Sequence, residues 1–206
     1  MIAALYVEEG GPYWHLEGVD PWGSKRDARL YGGPYPVVAR PPCERWGRYA
    51  TGGPNPRARR FKVGDDGGTF EAALHAVRTF GGVLEHPADS KAWEYFGIVR
   101  PPPTGWSNGD LYGGASCRVD QGRYGHPARK ATWLYAKLPL YPTLDWARAP
   151  VVRRLEESFK SKEEARLARS DPGFIPRKRL SRRERVWTPV PFRDLLVRMA
   201  QSCSGS

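Results

Sequence analysis

Cysteine is scarce in this chain. There are three in 206 residues, Cys43, Cys117 and Cys203, an odd and widely spaced set. That spacing does not fit a secreted disulfide framework. Long hydrophobic runs are missing too. No stretch approaches the roughly 20 consecutive apolar residues needed to cross a bilayer, so no membrane partner is expected. The opening MIAALYVEEGG lacks a basic segment and has too short an apolar run for a secretory signal. A cytoplasmic location is expected. There is no internal repeat.

What is present is aromatic, broken and basic. The apolar fraction of 40% supports one core, and eight Trp and ten Tyr enrich it. The 23 Gly and 20 Pro imply short elements and many turns, which argues against a helical bundle. The net charge of +11 favours a polyanionic partner, with DNA the expected one. The excess is uneven: +4 over residues 1–150, +6 over 151–185 and +1 over the rest. The run RKRLSRRER contributes Arg177, Lys178, Arg179, Arg182, Arg183 and Arg185, read either as a strip that tracks phosphates or as a solvated face. Arg57, Arg59 and Arg60 form a second basic cluster.

Residues 2–7 read as a buried strand. Val37, Val38 and Ala39 form a short strand that must stop at Pro41-Pro42, since proline has no N–H for a ladder. Cys43 then stands just past a strand's C-terminal end. Residues 54–67 read as a loop, and Thr69 as the cap of a helix whose apolar face is Phe70, Ala73, Leu74 and Val77. Gly81-Gly82 end it, and a strand at 83–84 leads to Glu85 and Pro87. If both strands share a sheet, this strand–loop–helix–strand unit makes them parallel neighbours and brings Cys43 and Glu85 to one sheet edge, where open α/β sheets bind ligands. Residues 100–116 read as a loop and 132–136 as a strand. Residues 151–170 have a charged helical pattern. Thr188-Pro189 start a last helix with Phe192, Leu195, Leu196 and Met199 on its apolar face. The expected organisation is an α/β core over 1–150, a charged and basic segment with a closing helix over 151–200, and a disordered tail over 201–206.

The order of these pieces resembles the cytosine carbon-5 DNA methyltransferases. Pro41-Pro42-Cys43 is similar to the family's Pro-Pro-Cys loop. Asp65-Asp66-Gly67-Gly68-Thr69-Phe70 resembles its Asp-rich helix opening, Glu85-His86-Pro87 its Glu-Asn-Val, and YGHPARKAT (124–132) its Tyr-Gly-x-Pro-Gln-x-Arg-x-Arg. LSRRERVWTP resembles the opening of its closing motifs. The resemblance covers most of residues 37–136 and, loosely, 180–200, and many small phage and prophage proteins share it. It implies a reduced, Rossmann-like, mostly parallel sheet without a full target-recognition domain, in a bacterial host cell. It implies Cys43 as nucleophile, Glu85 as the base-side acid, and Lys130 with Arg129 orienting base or phosphate. On the donor side it points to Gly10, Gly11 and Asp20 for S-adenosylmethionine. There Glu8 and Glu9 stand where small residues are needed, and the eight residues between Gly11 and Asp20 leave little room for a helix.

A thiolate added to carbon 6 of a pyrimidine makes carbon 5 reactive, which is covalent catalysis. The thiol needs a lowered pKa, and Arg40, Arg45 or Arg48 supply nearby positive charge. Trp46, Tyr124 and Trp133 are candidate pocket walls for a base extruded from the stack. Three rival readings stand beside this one. Cys43 is an inert thiol and Glu85 a structural ion-pair residue. The chain is a DNA-binding or anti-restriction protein without turnover. Cys43, Cys117, His86 and His126 hold zinc, although no ligand pair has finger-like spacing.

Overall fold

The first strand, β1 (Ile2–Leu5), is buried at every position. This is the signature of a strand covered on both faces, as in parallel sheets with helices on either side. A computed structural model describes residues 1–47, 50–51, 61–150, 153, 166, 170 and 180–205 of the chain. The remaining strands among the described residues are β2 (Val19–Trp22), β3 (Val37–Ala39), β4 (Gly82–Pro87), β5 (Ala115–Asp120) and β6 (Ala131–Lys137). They form one six-stranded sheet in the order β2-β1-β3-β4-β6-β5. The pairs β1–β2, β1–β3 and β3–β4 are parallel. Strand β6 is antiparallel to both β4 and β5. It alone runs against the other five, so the sheet is mixed and mostly parallel.

Strands β2 and β5 do not stand out in the sequence. β2 is half-buried and contains Pro21, which is tolerated because the strand lies at an edge. The first two residues of β5 fall in the stretch read as a loop over 100–116, and its six residues hold Ser116, Arg118 and Asp120 among the apolar ones. Between β1 and β2 the chain makes turns and no helix.

Helix α1 (Thr69–Phe80) buries Phe70, Ala73, Leu74, Ala76 and Val77. Its start corrects the expected Thr69 cap. Gly68 is the N-cap in the left-handed region, and Asp66 supplies the oxygens. They accept from the N–H groups of Gly68 and Phe70, both at 2.9 Å. Gly82 opens β4 at φ +112°, where a Cβ would collide with the Val37 carbonyl of β3. A side chain there would push apart the two strands that carry the site.

Alternate strand residues face two cores. Leu5, Val37, Ala39 and Leu84 pack with α1 and with α2 (Lys91–Tyr95) on one face. Ile2, Ala4, Val38, Val83 and Leu134 pack with the last long helix on the other. Ahead of that helix stands a short one, α3 (Arg182–Val186), started by a capping box of Ser181 and Glu184. The last long helix, α4 (Val190–Gln201), buries Phe192, Leu196 and Met199, with Leu195 half-buried. Its N-cap is Pro189 and not Thr188, whose buried hydroxyl finds no partner. The tail also differs from expectation. Gln201 closes α4, and Ser202–Gly205 form a 3-10 turn with Cys203 Sγ directed at the Lys137 carbonyl at 3.5 Å. Packing against Gly81 and Lys137 orders a segment whose small polar residues suggest none. The charged helical pattern over 151–170 lies, apart from three single residues, outside the described ones. Among the described residues, no helix is long and apolar enough to cross a membrane.

Candidate functional site

The chain leaves β1 to one side to form β2, and β3 lies on the other side of β1. That reversal is a topological switch point, where open α/β sheets carry crevices beyond their strands' C-terminal ends. A crevice of about 480 Å³ lies here. Tyr6, Val7 and Glu8 reach it from β1, and Arg40, Pro41, Pro42 and Cys43 from β3. Glu85 and Pro87 come from β4, Lys130 from just before β6, and Arg185 and Val186 from α3. Its size falls in the usual range for small-ligand sites.

The register explains the meeting of β3 and β4. Val38 pairs with Val83 and Ala39 with Leu84, so the next step sets Arg40 beside Glu85. Arg40 Nε donates to Glu85 Oε2 at 2.8 Å. Gln121, which follows β5, donates its amide to Glu85 Oε1 at 3.1 Å and to Thr132 Oγ1 at 2.9 Å. Glu85 lies within β4, two residues before its end, and is 5% exposed. Burial pushes its carboxyl up, but Arg40 and then Lys130 outweigh it and hold the group below its usual range. Glu85 is therefore an ionised acceptor with lone pairs to spare.

Cys43 is half-buried in the turn after Pro42, and its carbonyl accepts from Trp46 and Gly47. Here the structure corrects the expected activation. Burial and then the Glu85 carboxylate push the thiol up, and Lys130 is the cation working the other way. Arg40 is committed to Glu85, and Arg45 stacks over the Phe61 ring at 3.9 Å. Arg48 lies outside the described residues. Burial lowers the Lys130 ammonium to about 8, against the raising effect of Glu85. Lys130 Nζ donates to the Trp187 carbonyl at 3.0 Å.

Cys43, Glu85 and Lys130 are thus brought together. Other candidates are not. Arg129 does not line the crevice, and its Nε donates to the Ala149 carbonyl at 2.8 Å. Trp46 is core, between Phe70 and Phe96, and donates to Asp66. Tyr124 packs on Phe192 in the opposite core and Trp133 on Trp93. Trp46 and Trp133 belong to one core, and Tyr124 is half-buried against the other. Cys117 is buried within the sheet, and among the described residues no three His, Cys, Asp or Glu side chains converge. Arg185 lines the crevice, Arg183 is exposed on α3, and the side chain of Arg182 is outside the described residues. Arg57, Arg59, Arg60, Arg177, Lys178 and Arg179 also lie outside them.

Gly10, Gly11 and Asp20 do not line the crevice. Asp20 accepts from Trp22 Nε1 at 2.8 Å and from Arg26 at 2.5 Å. Glu9 accepts from Ser24 at 2.7 Å and pairs with Lys25, tying the loop after β1 to the loop after β2. A Cβ at Gly23 would meet Glu9 and Trp14 side-chain atoms, both at 2.9 Å, so these side chains fill the gap between the loops. The residues present fit S-adenosylmethionine poorly: Asp20, expected as its acidic ribose ligand, is engaged by Arg26 and Trp22, and Glu9 and Trp14 fill the gap beside Gly23.

Several residues that line the crevice or hold its carboxylate carry no signal in the sequence. Tyr6 takes φ +60°, rare for a residue with a Cβ, and its buried hydroxyl has no partner. Gln121 and Val186 are placed only by strand register and by the seating of α3. In comparisons with known proteins, the chain matches no family model and no curated protein.

Proposed function

We propose that this chain binds a pyrimidine base drawn out of a DNA strand and adds Cys43 to its carbon 6. The scaffold is read as a Rossmann-like sheet of the cytosine carbon-5 methyltransferase type. One observation carries the reading: a cysteine, a carboxylate and a lysine from three separate segments line one crevice at the sheet's switch point. The parallel, adjacent β3 and β4, carrying the Pro-Pro-Cys loop and Glu85, support the type of sheet.

The step needs no donor. The Cys43 thiolate forms an S–C bond to carbon 6, and the 5,6 π pair moves to carbon 5, which takes a proton from water. Loss of a proton from carbon 5 then restores the double bond and expels the thiolate. The net change is exchange of the carbon-5 hydrogen with solvent. The ionised Glu85 accepts from the exocyclic amine of cytosine and fixes the ring. The Lys130 ammonium stabilises the developing thiolate, whose pKa it already lowers.

The test is incubation with cytosine-containing DNA in deuterated water, followed by mass spectrometry of the nucleosides. Deuterium gained at carbon 5, and lost in Cys43→Ser, is the expected result. A second reading is DNA binding without turnover, of the anti-restriction kind. The raised thiol and the filled gap on the donor side favour it. DNA binding with no exchange selects that reading. No DNA binding in low-salt filter assays overturns both.

A further inference from the structure

We infer that Arg185, Val186 and Trp187 form a wedge at the crevice rim, with Val186 and Trp187 filling the gap an extruded base leaves in the stack and Arg185 holding a flanking phosphate. This rests on the reading of the crevice as a base pocket. Val186 is 62% and Trp187 42% exposed, two consecutive apolar side chains turned to solvent. Single exposed apolar residues need no explanation. Val186 stands in the wall of the crevice, with Trp187 next to it in the chain. The Trp187 carbonyl is held by Lys130.

The segment is seated firmly. Glu184 closes the capping box on Ser181 and pairs with Arg153. The His126 ring nitrogens reach two carbonyls, Nδ1 that of Ala128 at 2.9 Å and Nε2 that of Glu184 at 3.1 Å, which ties α3 to the turn before β6. The Trp187 ring lies 6.2 Å from the His126 ring, at 30° to it. An exposed apolar pair on an anchored turn can enter a base step without first paying for its own ordering.

The charge beside it selects the occupant. Arg183 is exposed on α3, and Arg185 lines the crevice with its buried Nε lacking a hydrogen-bond partner. Apolar side chains flanked by guanidinium groups suit a nucleic-acid strand, in which bases stack on aromatic or apolar groups and phosphates take cations. An enzyme that draws a base from a duplex needs something to hold the vacated step apart.

The experiment uses the full chain in a Cys43→Ser background, so that its outcome is independent of the covalent chemistry. A duplex carries 2-aminopurine next to the target cytosine, and its fluorescence rises when neighbouring stacking is lost. The parent should raise the fluorescence. Val186→Ser/Trp187→Ala should abolish the rise and weaken duplex binding roughly tenfold. Leu111→Ser, which removes an exposed side chain outside the crevice lining, serves as control and should change neither. Arg185→Ala should reduce the salt dependence of binding by about one phosphate contact. An equal rise in parent and double variant overturns the wedge while leaving base extrusion intact. Tight binding with no rise in the parent overturns both the wedge and extrusion. Unchanged urea midpoints identify any loss of signal as local.

Discussion

Arg40 and Glu85 face each other across two neighbouring parallel strands, Nε to Oε2 at 2.8 Å, with side chains 20% and 6% exposed. The pair fixes the carboxylate that a base would meet. Removing one partner leaves the other charged and buried, so Glu85→Ala should cost about 3–5 kcal/mol in urea denaturation. Replacing both, as Arg40→Met with Glu85→Leu, should recover most of that loss. A double-mutant cycle gives the coupling directly. The double variant should fold but fail in carbon-5 exchange.

The second expectation concerns the thiol. Burial and Glu85 raise the Cys43 pKa above the ordinary value, so the thiolate fraction still grows as pH passes 9. Iodoacetamide labelling of Cys43, followed by mass spectrometry, should accelerate throughout pH 7–9 without a plateau. Lys130→Met removes the cation that lowers the thiol and should slow labelling at pH 8. Glu85→Gln removes a charge that raises it and should speed labelling. A plateau below pH 8 in the parent would show an activated thiol and restore the activation expected from the sequence.

The third concerns His86, buried against Phe70 and Trp93 on the α1 side of the sheet. Burial lowers its pKa to about 4 from 6.5. The unfolded chain therefore takes up this proton first as pH falls. The contribution is fully present above about pH 6.5 and is lost progressively down to pH 4. Its size is about 3 kcal/mol. Denaturation curves at pH 7 and pH 4.5 should differ by much of that amount in the parent, and by clearly less in His86→Phe. Equal pH dependence in the two proteins would remove His86 as the cause.

The fourth concerns the donor side. Asp20 is engaged by Arg26 and Trp22, and Glu9 and Trp14 fill the gap beside Gly23. Calorimetry with S-adenosylmethionine should give no binding signal, because Asp20 is already paired and the gap beside Gly23 is filled. Micromolar affinity would overturn this and would make methyl transfer the leading reading.

What the sequence determined by itself was local. The valines before Pro41-Pro42 specify a strand that must end there, and the apolar spacing from Phe70 to Val77 specifies a helix. A helix between two strands of one sheet makes a parallel crossover, and that places Cys43 and Glu85 at one edge. Net charge marked where basic side chains crowd. The tertiary structure decided everything that depends on what lies across a gap. Arg40 reads as one more cation near a thiol, but strand register turns it toward Glu85. Trp46, Tyr124 and Trp133 read as pocket walls, but strand alternation turns Trp133 into the core, and the packing of α1 and α4 draws in Trp46 and Tyr124. Thr69 reads as a cap, but the loop folds Asp66 over the helix start instead. Burial set the sign of the Cys43 shift, because removing a thiolate from water outweighs a single lysine, and burial cannot be counted along a chain.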